Sequence, residues 1–143
     1  MGINFYIEQF KAEINDIYKA YRFSHLGLYH MYSTVKNMKA QNNLENFRIQ
    51  DQELNVDILF SDEEIQKASE YGFYQKIIAG NTISMFYNLW EDNYRSIFAQ
   101  IQKMKPTDIK NDFFGDLGKI RNSITHKHYQ RSSEINMNIR NYP

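Results

Sequence analysis

The first third of the chain has its apolar residues at the spacing of an amphipathic helix. Most of them are three or four positions apart, and lysine, glutamate, aspartate and glutamine stand between them. The apolar positions are Ile3, Tyr6, Ile7, Phe10, Ile14, Ile17, Tyr18, Tyr21 and Leu28. Because side chains at these spacings share one face of a helix, the pattern predicts one long helix, or two close ones, from residue 3 to about residue 40.

The helical pattern weakens between residues 41 and 60. Two segments there, 47–50 and 54–60, alternate in part between apolar and polar residues. Partial alternation over such short lengths is compatible with a short hairpin or with an extended connection. Both alternatives remain open from the sequence.

A capping box follows this region. Ser61 is a typical N-cap residue, and Glu64 stands three positions later, where its side chain can reach back to the cap. The pattern predicts a helix from there to about Tyr71, with Gly72 as the stop signal.

The strongest helical stripe lies in the second half of the chain. Its apolar positions are Ile83, Phe86, Tyr87, Trp90, Tyr94, Ile97, Phe98 and Ile101. We expect this aromatic stripe to form core rather than a stacking surface for bases. Pro106 disfavours helical geometry in the residue before it, so the helix is predicted to end near Lys105. Its start is open, because residues 74–79 belong to it or Gly80-Asn81 breaks it.

Two further helical segments are predicted after the proline. Thr107 and Asp108 match an N-cap, which predicts a short helix through Phe114. The second segment covers residues 115–129, and one apolar stripe runs along it: Leu117, Ile120 and Ile124. Beyond it the chain is polar, and residues 132–143 are predicted to fray.

These elements together predict an all-α fold. We expect an antiparallel bundle of four to five helices, with a short irregular or hairpin insertion near 41–60, in a single domain over residues 1–143. No run of 18 apolar residues exists, so no membrane span is predicted. The N-terminus lacks the features of a signal peptide, and the absence of cysteine excludes disulfides and thiolate metal sites. These features fit a cytoplasmic protein.

Charge is distributed unevenly, although the formal net charge is zero. Seven acidic residues and one basic residue lie between Glu45 and Glu64, which is more typical of a solvated face than of a site. The segment from Lys119 to Arg131 contains no acidic residue. A local excess of positive charge attracts polyanions, although bases also collect at helix C-termini. The candidate RNA-binding residues here are Lys119, Lys127, His128 and Arg131.

Arg121, Asn122 and His126 are the candidates for chemistry. On a helix Asn122 and His126 are one turn apart on the same face, and Arg121 can reach the same point from the neighbouring face. A histidine transfers protons near neutral pH, an arginine holds phosphate oxygens, and an amide orients either group. His128 lies about 200° round the helix from His126, so we predict no metal site, and no cofactor motif is present.

This string resembles the R-x(4–6)-H motif of the HEPN superfamily (higher eukaryotes and prokaryotes nucleotide-binding domains). Arg121 is followed directly by Asn122, and His126 stands five positions after the arginine. The motif would lie on a late helix of a small helical domain, after an aromatic helix that ends near a proline. Lys127 stands where many members have a small residue, which is a departure from the family pattern.

The resemblance implies metal-independent RNA cleavage by a homodimer. In the family, the motif helices of two protomers face each other across a cleft, and a ribose 2′-hydroxyl attacks the adjacent phosphate. The resemblance makes Arg121, Asn122 and His126 the catalytic residues. It also implies a bacterial toxin or a phage-defence effector, with an antitoxin or regulatory protein as a further partner.

The preceding helix supplies candidates for a supporting role. Glu91, Asp92 and Arg95 could orient the motif side chains from a second shell, although Glu91 and Arg95 also fit an ordinary surface ion pair. Two alternatives for the whole chain stay open beside the nuclease. One is a non-catalytic HEPN-like module that binds RNA or a partner and dimerises, and the other is a helical scaffold in which the motif is a coincidence.

Overall fold

The structure is a computed structural model that describes residues 2–126, and their side chains as far as Thr125. The described fold is mostly helical, with a small two-stranded antiparallel hairpin inserted between helices. The elements in chain order are α1 (Ile3–Asn42), β1 (Phe47–Asp51), β2 (Val56–Phe60), α2 (Asp62–Ala68), α3 (Phe73–Asn88), a π-helical segment (Leu89–Tyr94), α4 (Arg95–Ile101), a 3-10 turn (Pro106–Asp108) and α5 (Asp112–His126).

The first helix, α1, is continuous over 40 residues. The structure therefore has one long helix here, the first of the two alternatives that the apolar spacing left open. The helix is followed by Asn43, whose φ of 49° is the left-handed conformation that asparagine tolerates better than most residues.

The segment between α1 and α2 is a β-hairpin rather than an extended connection. Its two strands pair antiparallel, with Phe47 opposite Phe60. At the turn, the carboxylate of Asp51 accepts a hydrogen bond from the backbone N–H of Leu54 at 3.0 Å, and Asn55 has a φ of 51°. Local turn chemistry therefore closes the hairpin.

The predicted N-cap at Ser61 is confirmed at the start of α2, but the carboxylate of Glu64 does not complete the capping box, because it accepts from Lys67 and Tyr74 instead. The hydroxyl of Ser61 accepts a hydrogen bond from the backbone N–H of Glu64 at 3.3 Å. The helix ends at Ala68 and not at residues 71–72 as predicted. Ser69 leaves it in an extended conformation with ψ of 165°, and its hydroxyl donates back to a carbonyl of the last turn at 2.7 Å.

The helix predicted to end near Lys105 is α3, the π-helical segment and α4 in one uninterrupted run. Residues 74–79 belong to it, and Gly80 does not break it. It ends earlier than predicted, at Ile101. Lys103 adopts a left-handed conformation with φ of 55°, and Lys105 is extended with ψ of 147°, as a residue before proline usually is.

The last described helix, α5, is a single helix where two were predicted. Its cap is Asn111, whose side-chain oxygen accepts a hydrogen bond from the backbone N–H of Phe114 at 3.3 Å. The predicted cap at Thr107-Asp108 is wrong, because Pro106 opens a 3-10 turn that contains both residues. A rigid proline at the first position suits such a turn.

The chain divides into two compact units, and each has its own core. Among the described residues, one unit is formed by 2–21 and 79–126, and the other by Arg22–Ile78. The buried core residues of the first are Trp90, Tyr94, Phe114 and Leu117. Those of the second are Val35, Phe60 and Ile65. The predicted aromatic stripe is therefore core, as expected, in the unit that carries the motif helix.

Candidate functional site

The side chains of Arg121 and Asn122 are hydrogen-bonded to each other on α5. The guanidinium of Arg121 donates to Oδ1 of Asn122 at 3.3 Å, and it lies 5.7 Å from the centre of the Tyr87 ring. A cation at this distance is attracted by the negative face of an aromatic ring. Asn122 is exposed, so its amide can reach a ligand.

Neighbouring residues of α5 pack against the core. Leu117, one turn before Arg121, and Ser123 are buried. Gly118 approaches α3 so closely that a Cβ on it would lie 2.8 Å from Cε2 of Tyr87. Because a side chain larger than glycine would separate the two helices, this contact sets the position from which Arg121 and Asn122 project.

The histidine of the motif lies at the end of α5. His126 is the last residue of the helix and follows Asn122 by one turn, so the predicted i,i+4 relationship holds for the backbone. Several predicted features lie outside the described residues: the side chain of His126, the RNA-binding candidates Lys127, His128 and Arg131, and the tail 132–143.

A cleft of about 410 Å³ opens beside Asn122. It brings together four residues that the sequence singled out: Glu91, Arg95, Lys119 and Asn122. This volume lies in the range of small-molecule sites. The elements that meet here are the C-terminal part of α3, the π-helical segment, the first residue of α4, the segment 109–111 and α5 as far as Asn122.

Glu91 and Arg95 form the predicted ion pair at the wall of this cleft. One guanidinium nitrogen of Arg95 donates to Oε1 of Glu91 at 2.5 Å, and another donates to the carbonyl of Pro106 at 2.7 Å. The Arg95 side chain is only 23% exposed and the Glu91 side chain 34%. The pair is therefore partly buried and is not an open surface ion pair. Glu91 belongs to the π-helical segment, and such turns occur often at functional sites.

The third acidic candidate of this region lies elsewhere. Asp92 lines a separate groove, together with Met85, Asn88 and Ile17. Of the two acidic candidates on this helix, Glu91 and not Asp92 therefore shares a cleft with Asn122.

Lys119 is the one predicted RNA-binding residue whose side chain is described. Its ammonium donates to Oδ1 of Asp116 at 2.8 Å, and Asp116 is buried. Since a neighbouring carboxylate compensates its charge, Lys119 alone contributes little to the attraction of a phosphate backbone.

Tyr94, also in the π-helical segment, is a buried residue of the core. Its hydroxyl donates to Oε1 of Glu13 at 2.8 Å. Burial raises the pKa of Tyr94 to about 12, and the hydrogen bond to Glu13 contributes further to the rise. The hydroxyl therefore stays protonated near neutral pH and does not act there as a base.

Tyr87 and Asn111 also line the cleft but were not singled out from the sequence as site residues. Tyr87 fits the spacing of the aromatic stripe, so nothing distinguished it from core. Asn111 lies in a stretch predicted to be the middle of a short helix. An asparagine three residues before the first buried position of α5, Phe114, is an N-cap signal that could have identified it.

No family model, curated protein or solved structure matches the chain. No helix within residues 2–126 has the length and apolar character needed to cross a bilayer. Over the same range, no three histidine, aspartate or glutamate side chains gather in a geometry that could hold a metal ion.

Proposed function

We propose that the protein is a metal-independent endoribonuclease of the HEPN type. In this proposal its helices form an antiparallel bundle of four to five helices, and α5 faces its copy in a homodimer. Each protomer contributes Arg121, Asn122 and His126 to a composite site. One such set per chain is sparse, and two copies related by a two-fold axis supply a fuller site.

The observation that carries the proposal is the Arg121–Asn122 pair at the edge of the cleft. The two side chains are hydrogen-bonded and held by Tyr87, and Glu91 and Arg95 line the cleft beside them. A fixed guanidinium next to an exposed amide is suited to hold a phosphodiester.

The chemistry assigns a role to each residue. The 2′-oxygen attacks the adjacent phosphorus, and the bond from phosphorus to the 5′-oxygen breaks. The products are a 2′,3′-cyclic phosphate and a 5′-hydroxyl, and protons move from the 2′-hydroxyl and to the leaving oxygen. His126 transfers protons, Arg121 stabilises charge on the phosphate oxygens, and Asn122 orients the scissile group.

The biological role follows from the resemblance. We infer a cytoplasmic bacterial toxin or phage-defence effector that acts on RNA, and an antitoxin or regulatory protein would restrain it.

The test is cleavage of transfer RNA or another structured RNA in the presence of EDTA. We expect cutting by the wild-type protein and loss of cutting in His126→Ala and Arg121→Ala, with circular dichroism showing that both variants fold. Lys76→Ala, at an exposed position of α3 outside the motif and the cleft, is the matched control for loss of a positive charge. Undiminished cutting in both motif variants would overturn the assignment of the site.

A second candidate is a non-catalytic module that binds RNA or a partner and dimerises. The observation that favours it is that the guanidinium of Arg121 is already engaged by Asn122 and the Tyr87 ring, which leaves fewer of its donors for a scissile phosphate. RNA binding that weakens with salt, without cleavage products, would identify this function.

A further inference from the structure

The charges that line the cleft beside Asn122 balance each other. Its acidic side chains are Glu91, Asp112 and Asp116, and its basic side chains are Arg95, Lys110 and Lys119. A groove that follows a phosphate backbone needs an excess of positive charge. The cleft is therefore better suited to an uncharged, polar part of a ligand than to its phosphates.

Three side chains of the cleft, those of Glu91, Asn111 and Asn122, differ in the hydrogen-bonding atoms that they can offer to a ligand. Oε1 of Glu91 accepts from Arg95, and the second carboxylate oxygen has no hydrogen-bond partner among the described residues. The oxygens of Asn111 and Asn122 accept from Phe114 N–H and Arg121, which leaves both amide nitrogens as donors. Glu91, Asn111 and Asn122 thus offer one fixed acceptor and two amide donors to the cleft.

We propose that this cleft is a subsite for a single unpaired guanine base of the RNA substrate, read by Glu91. The proposal rests on the ribonuclease function proposed above and adds a base preference to it. Guanine presents two adjacent donors, N1–H and the N2 amine, on its Watson–Crick edge, and the acceptors O6 and N7 elsewhere. Adenine and cytosine place an acceptor where N1–H of guanine stands, and a carboxylate repels it.

The position of Arg121 agrees with this assignment. Tyr87 lines the cleft, and the guanidinium of Arg121 lies over its ring. A nucleotide with its base in the cleft would therefore bring its phosphate close to Arg121. The ion pair with Arg95, itself held by the Pro106 carbonyl, keeps the Glu91 carboxylate in place before the base arrives.

The test is titration of the full-length protein with GMP, IMP, AMP, CMP and UMP. Binding is followed by the indole N–H signal of Trp90, which is the only tryptophan and lines the cleft. We expect GMP to bind about tenfold more tightly than AMP or CMP, since these bases lose a hydrogen bond to a charged group. UMP keeps one donor, its N3–H, but has a carbonyl where guanine has the N2 amine, so it should also bind more weakly than GMP. IMP differs from GMP only in lacking the N2 amine. It should therefore bind the wild-type protein more weakly than GMP, which tests the contact to this amine without a mutation.

The matched variants are Glu91→Gln and Glu63→Gln. Both remove the acid of an i,i+4 ion pair, but the Glu63–Lys67 pair lies on α2. The preference for GMP should disappear in the first and persist in the second. Equal binding of all five nucleotides, no binding of any, or a preference that survives Glu91→Gln would overturn the proposal.

Cleavage mapping separates the two proposals. RNA cutting without a preference for sites beside guanosine overturns the base subsite and leaves the nuclease intact. Selective GMP binding without RNA cutting overturns the nuclease and leaves the subsite intact.

Discussion

Gly118 of α5 lies against the aromatic ring of Tyr87 of α3, and a Cβ on this glycine would stand 2.8 Å from Cε2 of the ring. The same ring lies 5.7 Å below the guanidinium of Arg121. One contact therefore determines both how closely the two helices pack and where the arginine of the motif is held. The contact between Gly118 and Tyr87 therefore connects the core around Trp90 and Phe114 to the candidate site.

Gly118→Ala should destabilise the protein, although alanine is the better helix former. The propensity gain of about 1 kcal/mol is opposed by overpacking against Tyr87, which costs about 1–3 kcal/mol. We expect the free energy of unfolding in urea to fall by about 1 kcal/mol.

Gly115→Ala is the control for that change. Gly115 lies in the same helix, and a Cβ there would meet no described atom within 4 Å apart from its chain neighbours and the adjacent helix backbone. Its free energy of unfolding should rise by up to about 1 kcal/mol. A Gly118→Ala protein as stable as Gly115→Ala would show that the close helix contact is absent.

Tyr94→Phe should lower stability and change its dependence on pH. The variant loses a buried hydrogen bond to Glu13, which costs about 1.5–3 kcal/mol for a charged acceptor. The pKa of Tyr94 rises from 10.0 to about 12 on folding. Its contribution to stability is fully present below pH 10 and declines as the pH rises towards 12, because the unfolded chain releases the proton first.

Unfolding experiments between pH 9 and about pH 12 measure this effect. We expect wild-type stability to fall more steeply with pH than that of Tyr94→Phe. The control is Tyr71→Phe, whose ring is 82% exposed and which should follow the wild type. Parallel pH profiles for wild type and Tyr94→Phe would contradict the assignment.

Lys39→Met tests how a buried lysine stabilises the second compact unit, Arg22–Ile78. Lys39 is buried, and its ammonium donates to the carbonyl of Glu45 and to Oδ1 of Asp62, the latter at 2.7 Å. Its removal leaves the Glu45 carbonyl without this donor, and we expect a loss of about 1–2 kcal/mol in the free energy of unfolding. Lys36→Met, at an exposed position of the same helix, should stay within about 0.5 kcal/mol of the wild type. Equal effects of the two changes would argue against a stabilising role for Lys39.

The elements predicted best from the sequence are those that local rules determine. The N-cap at Ser61 opens α2 where predicted, since a side chain and a backbone amide three residues apart are enough to form it. The hairpin was one of two alternatives for its segment, because partial alternation over five residues does not distinguish a strand pair from an extended connection.

The features that the sequence did not predict depend on packing. The aromatic residues around Leu89–Tyr94 have the spacing of an ordinary α-helix, so the sequence does not reveal the π-helical segment there. The position of Glu91 at the cleft could therefore not be inferred. The start of α5 was misplaced because Thr107 and Asp108 resemble a cap as closely as Asn111 does. Only the burial of Phe114 and Leu117 favours the later start.

The composite site is the central claim, and mixing two inactive variants tests it most directly. Arg121→Ala and His126→Ala proteins are combined under conditions that exchange subunits, and exchange is monitored by fluorescence energy transfer. RNA cleavage is then measured in EDTA. Because a mixed dimer retains one arginine and one histidine across the interface, we predict that the mixture regains part of the wild-type activity that neither variant has alone. A mixture that exchanges subunits but stays inactive, while the wild type cleaves, would contradict a site shared between two protomers.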